Sequence, residues 1–126
     1  MDQAGSPLVS VIIPAYDVAE FIGDALNSVF AQTFSDFEVI VINDGSPDTA
    51  KLERVLGPYM SRIVYLKQEN RGVSAARNTG IAAARGSLIA FLGGPHFSQV
   101  LFCYAFDRHM VAKTGVKVVS QCGAIE

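Results

Sequence analysis

Asp44 and Arg77 are the side chains whose surroundings in the sequence could do chemistry on a ligand. Asp44 follows an apolar run, Val39-Ile40-Val41-Ile42, and opens a polar turn, Asn43-Asp44-Gly45-Ser46-Pro47-Asp48. A carboxylate at such a place accepts N–H or O–H donors from a ligand. Asp also serves in turns simply to hold them together, and on local sequence the two uses weigh about equally. Arg77 interrupts a run of small residues that contains Ala75, Ala76, Gly80, Ala82, Ala83 and Ala84. Its guanidinium either balances a phosphate with directed hydrogen bonds or pairs with Asp44 or Glu69 as structure only.

Those residues need elements to position them. Four consecutive aliphatic residues, all of them β-branched, suit a strand buried on both faces. Gly45 permits a tight turn, Ser46 can cap a helix and Pro47 fits a first helical position. Strands are expected over Leu8 to Pro14, where Pro14 ends the first, Phe37 to Asn43, Ser61 to Leu66 and Ser87 to Leu92. Helices are expected from Asp17 to about Phe30, with Asp17 and Glu20 as a capping pair, from Asp48 to Met60, and from Val73 to Arg85 with Gly86 just beyond its end. Farther on, Phe97 to Lys113 reads as a helix and Val116 to Ser120 as a strand.

This alternation predicts an α/β fold: a three-layer α/β/α sandwich with a mostly parallel sheet. Right-handed crossovers put the carboxyl ends of the strands on one rim. Four polar turns then gather there: Pro14 to Asp17, Asn43 to Ser46, Gln68 to Gly72 and Gly93 to His96. In open α/β sheets that rim is where ligands bind. The small residues of the third helix let it lie close to the sheet.

With 126 residues, half of them hydrophobic and 17% charged, the chain is expected to be one globular domain, 1–126, after a loose tail over 1–7. The formal net charge is −2 with no block of Lys and Arg, which speaks against a nucleic-acid surface. No apolar run approaches the roughly 20 residues of a membrane helix, and the first residues do not read as a signal peptide. Cys103 and Cys122 fit no metal spacing, so reduced thiols in a cytoplasmic protein are expected. Neither G-x-G-x-x-G nor G-x-x-x-x-G-K-[ST] occurs, and no serine has a matching histidine for a hydrolase triad.

Four blocks, VSVIIPAYD, SVFAQTF, DFEVIVINDGSPD and QENRGVSAARNTGIAAARGSLIAFL, resemble in order and spacing the N-terminal half of family 2 glycosyltransferases. The likeness spans roughly Leu8 to Leu92. It implies the GT-A fold and transfer of a sugar from a nucleotide diphosphate sugar, with a UDP-sugar the first expectation. By the family's motifs, Pro14, Ala15 and Tyr16 would line the nucleotide pocket and Asp44 would bind the base. Arg71 to Ser74 and Arg77 would flank the nucleotide. Asn43 stands where the family usually has a first Asp, keeping an acceptor and losing a charge.

The chain also departs from that pattern. The family's fourth strand runs into an Asp-x-Asp motif that holds Mn²⁺ or Mg²⁺ on the diphosphate. Here Leu92 is followed by Gly93-Gly94-Pro95-His96, and no carboxylate occurs between Glu69 and Asp107. Hard cations want oxygen ligands, so His96 reads as a solvated loop residue, and no metal ligand is assigned. No catalytic base is assigned either, because the family keeps it in the half that would follow. The stretch 93–126 is therefore expected to be divergent and the domain truncated.

Two functional classes stand: a glycosyltransferase or its donor-binding half, and a non-catalytic module that binds nucleotide or assembles through the same fold. A receiver-like domain would want an Asp at the end of the third strand, where the chain reads Leu66-Lys67-Gln68. Val100 to Phe106 is apolar throughout. As a helix it would leave a face uncovered, which suggests a homodimer through that segment.

Overall fold

The computed structural model describes residues 7–31 and 35–92, and the backbone of Phe102–Tyr104. Strands β1 (Val9–Ala15), β2 (Phe37–Asp44), β3 (Val64–Gln68) and β4 (Leu88–Phe91) run parallel, and β5 (Phe102–Tyr104) pairs antiparallel with β4. They lie in the order β3-β2-β1-β4-β5. The helices are α1 (Ile22–Phe30), α2 (Thr49–Leu56) and α3 (Val73–Ala83), with a 3-10 helix at Gly57–Arg62.

The apolar strands bury both faces because successive side chains point to opposite sides. Val11, Ile13, Val39 and Val41 pack with Ile22, Leu26, Leu52 and Leu56 of α1 and α2. Ile12, Ile40, Ile42 and Ile89 pack with Ala76 and Ile81 of α3. The three layers expected from the sequence are thus present. Each such aliphatic side chain, fully withdrawn from water, contributes about 1.5–3 kcal/mol. The chain steps from β1 outward to β3, then crosses back to β4 on the other side of β1. That reversal puts the carboxyl ends of the parallel strands on one rim and opens a crevice there.

Small residues bring α3 down onto the sheet. A β-carbon on Gly80 would stand 2.5 Å from Ile12 Cγ2, so the helix rests directly on β1. At the opposite rim, buried Ser10 donates to Glu38 at 2.5 Å and accepts from the Gly86 N–H at 2.8 Å. Glu38 also accepts from the backbone and guanidinium of Arg85, which ties the exit from α3 to β1 and β2. Gly86 serves this close approach rather than a left-handed helix end. The residue that ends α3, Ala84, is extended.

Several expectations need correction. Pro14 does not end β1, which pairs with β2 as far as Ala15. Pairing with β4 stops at Ile12, so the missing N–H of Pro14 faces the side where no ladder bond is needed. Asp17 and Glu20 do not cap α1. Asp17 is left-handed at φ 57, and α1 starts at Ile22 after Phe21, without a side-chain cap. Ser46 and Pro47 lie ahead of α2, whose flanking residue is Asp48. Phe102–Tyr104 is strand, not helix. The homodimer suggested for Val100 to Phe106 was argued from a helical face that these three residues do not form. The rest of the expected helix over Phe97 to Lys113, the strand over Val116 to Ser120, and the turn Gly93 to His96 lie outside the described residues. Among the described residues no helix is long and apolar enough to cross a membrane.

Candidate functional site

The turn after β2 is the hub of the rim. Its residues reach both neighbouring loops through hydrogen bonds that the sequence supplies within six positions. Toward the loop after β1, Ser46 Oγ accepts from the Asp17 N–H at 2.7 Å and itself donates to Asp48. Asp48 Oδ2 accepts from the Ala19 N–H at 3.0 Å. Toward the loop after β3, Asp44 accepts four hydrogen bonds, about as many as a carboxylate has lone pairs to receive. Its Oδ1 accepts from Gln68 Nε2 and the Arg71 N–H, both at 2.9 Å. Its Oδ2 accepts from the Gly72 N–H at 3.0 Å and Asn70 Nδ2 at 3.2 Å. Asp44 is 3% exposed, and four donors leave its charge well compensated.

Asn43, one residue earlier, holds the turn from inside. Its Oδ1 accepts from the Ser46 N–H at 2.8 Å, and its Nδ2 donates to Thr49 Oγ1 and Tyr65 OH at 2.9 Å each. The Tyr65 hydroxyl then donates to Glu53 at 2.8 Å, and Glu53 meets Lys67 at 3.1 Å. Desolvation, with Glu53 as a further contributor, pushes the Tyr65 phenol up to about 12. The bond from Tyr65 holds the Glu53 carboxyl below its ordinary value, with help from Lys67. An amide at position 43 suits this chain, because it can donate to Tyr65 as a carboxylate could not.

The three loops and the start of α3 enclose a cavity of about 400 Å³. Five of the six residues singled out from the sequence line it: Pro14, Ala15, Tyr16, Asp44 and Arg77. Arg71 does not line it and instead contributes its backbone N–H to Asp44. Val18 and Asn70 line it and were not singled out; Asn70 lies in a turn that was recognised, whereas Val18 carried no signal. Gly72, at φ 99, precedes α3 without a side-chain cap, and Val73 joins it in the wall. The half-exposed Tyr16 and Val73 give the cavity an apolar side. The Arg77 guanidinium stands 5.5 Å from the centroid of the Phe91 ring and supplies positive charge. The uncapped first turn of α3 adds partial positive charge on the same side.

The described residues do not fit a divalent cation. They contain no group of three or more His, Cys, Asp or Glu side chains able to hold a metal. Of the carboxylates on the rim, Asp44 is filled by four donors, and Asp48 is committed to Ala19 and Ser46.

A mostly parallel sheet in this order, with a cavity over the carboxyl ends of β1 and β2, is an α/β domain of the GT-A kind, a fold shared with similar solved structures. The chain belongs to glycosyl transferase family 2, whose profile matches residues 10–94. It is 45% identical over 98 residues to the uncharacterized glycosyltransferase EpsJ of Bacillus subtilis, covering 76% of this chain and 28% of EpsJ. The chain thus spans under a third of that relative. Among solved structures it is similar to Staphylococcus aureus TarS 1-349 in complex with UDP-GlcNAc, with a TM-score of 0.59 and 28% identity over 68% of this chain and 26% of that one. It is likewise similar to the Pyrobaculum calidifontis mannosyltransferase PcManGT in complex with GDP-Man and Mn²⁺, with a TM-score of 0.59 and 27% identity over 67% of this chain and 26% of that one.

Proposed function

We propose that this cavity receives the nucleotide of a nucleotide diphosphate sugar, with UDP as the nucleotide, and that the chain is the donor-binding part of a sugar transferase. The observation that carries it is the convergence of Pro14-Ala15-Tyr16, Asp44 and Arg77 on one cavity from three separate segments. The base and ribose pack against Tyr16, Val18 and Val73. The diphosphate lies toward Arg77 and the first turn of α3, where a guanidinium and helix N–H groups favour an anion. The similar structures with UDP-GlcNAc and GDP-Man support a nucleotide sugar as ligand. The setting is the cytoplasm, where Cys103 and Cys122, which make up neither a metal motif nor a disulfide framework in the sequence, are reduced thiols.

A second reading, binding without transfer, is favoured by one observation: no carboxylate follows β4 where the family's metal motif belongs. Titrating UDP-GlcNAc into isotope-labelled protein and following the amide resonances tests both. Saturable shifts confined to 15–18, 44 and 70–77 support the donor site, and shifts elsewhere or none refute it. Release of free UDP on adding acceptor sugars separates transfer from binding alone.

A further inference from the structure

Gln68 and Thr79 do not line the cavity, yet they close a ring of hydrogen bonds behind it. A carboxylate only accepts, so the Gln68 atom 2.9 Å from Asp44 Oδ1 is Nε2. That leaves Gln68 Oε1 to face Thr79 Oγ1 at 2.6 Å, where the hydroxyl donates. Thr79 Oγ1 also lies 3.1 Å from the Ala75 carbonyl, but its single proton goes to the nearer acceptor. The ring therefore runs from Thr79 in α3, through Gln68 at the end of β3, to Asp44 at the end of β2. It returns through the Gly72 N–H to the start of the same helix.

We infer that Gln68 is a positioning residue for the cavity. It orients the Asp44 carboxylate so that its oxygens meet the Arg71 and Gly72 N–H groups. It thereby sets where α3 begins and where Val73 and Arg77 stand in the cavity wall. Thr79 fixes which way the Gln68 amide faces. The inference rests on the nucleotide reading only for the ligand used to test it.

Gln68→Glu puts a second carboxylate against Asp44; the two repel, so near pH 5 the pair holds one shared proton and at pH 8 that proton is lost. Arg71 and Arg77 are the cationic groups of the adjoining loop and helix, and Glu69, the other acidic group of this loop, is exposed. Lys67 is engaged with Glu53. The measurement is UDP affinity of the variant relative to wild type at pH 8 and pH 5, a ratio that cancels the titration of the ligand's own phosphate. It is expected to be about tenfold lower at pH 8 and restored to within about twofold at pH 5, where the shared proton replaces the amide N–H. A ratio that does not change with pH overturns the inference. If Gln68→Glu fails to fold, the pair Thr79→Ser and Thr79→Val decides. Retained affinity in the first with loss in the second supports the ring, and wild-type affinity in Thr79→Val overturns it. If wild type does not bind UDP, the nucleotide reading fails. Hydrogen exchange at the Arg71 and Gly72 amides then decides the role of Gln68. Protection lost in Gln68→Glu at pH 8 and regained at pH 5 supports it, and unchanged protection overturns it.

Discussion

Gly45 lies against Asn70: a β-carbon on Gly45 would stand 2.5 Å from the Asn70 backbone nitrogen. The loops after β2 and β3 are in backbone contact at this point, and Gly45 is also left-handed at φ 64. Gly45→Ala therefore meets both a conformational cost and a collision with main chain that cannot swing away. The left-handed backbone alone costs about 1–3 kcal/mol. Urea denaturation is expected to show a midpoint lowered by at least that free energy with an unchanged slope. A variant as stable as wild type would mean that the two loops separate freely.

Asp44→Ala removes the acceptor of four donors, two of them backbone N–H groups. Losing hydrogen bonds to a charged group costs about 1.5–3 kcal/mol each, less where water can take its place. The expected outcome is faster hydrogen exchange at Arg71 and Gly72 together with weaker UDP binding. Loss of affinity with unchanged exchange would instead assign Asp44 to direct contact with the base.

Gly80→Val should lift α3 from β1, since even a single β-carbon would meet Ile12 Cγ2 at 2.5 Å. Overpacking of this kind costs about 1–3 kcal/mol, against a few tenths gained from helix propensity. Because Arg77 rides on α3, UDP affinity should fall along with thermal stability. Calorimetric scanning and a binding titration on the same sample check both.

Tyr65 gives a pH signature. Its folded value, about 12, lies above the ordinary 10, so the stabilisation it reports is complete below pH 10 and is lost as pH rises through 12. Absorbance titration should find a tyrosine step near pH 12, and Tyr65→Phe should remove it. The same variant should raise the Glu53 value toward its ordinary range, because the bond from Tyr65 is the largest influence lowering it.

Much of this was legible in the residues. Val39 to Ile42 announced a strand buried on both faces, and the alternation of strand and helix then put Pro14 and Asp44 on one rim. What escaped the sequence was partnership. Asp17 looked like a cap because Asp often is one, but its backbone is instead committed to Ser46, 29 residues away. Gln68 read only as the start of a polar turn and Thr79 carried no local signal, since their meaning lies in contacts across 24 and 11 positions. Phe102–Tyr104 was misread because an unbroken apolar run has no period to separate strand from helix.

Calorimetric titration of UDP into the 126-residue chain, with and without Mn²⁺, tests the nucleotide site most directly. The account predicts saturable one-to-one binding that Mn²⁺ changes little, because the described residues offer no cluster of metal ligands. Arg77→Ala should weaken it by about 1.5–3 kcal/mol, the worth of a charged hydrogen bond. Absence of saturable heat from folded protein at millimolar UDP, or affinity indifferent to Arg77→Ala, would contradict it.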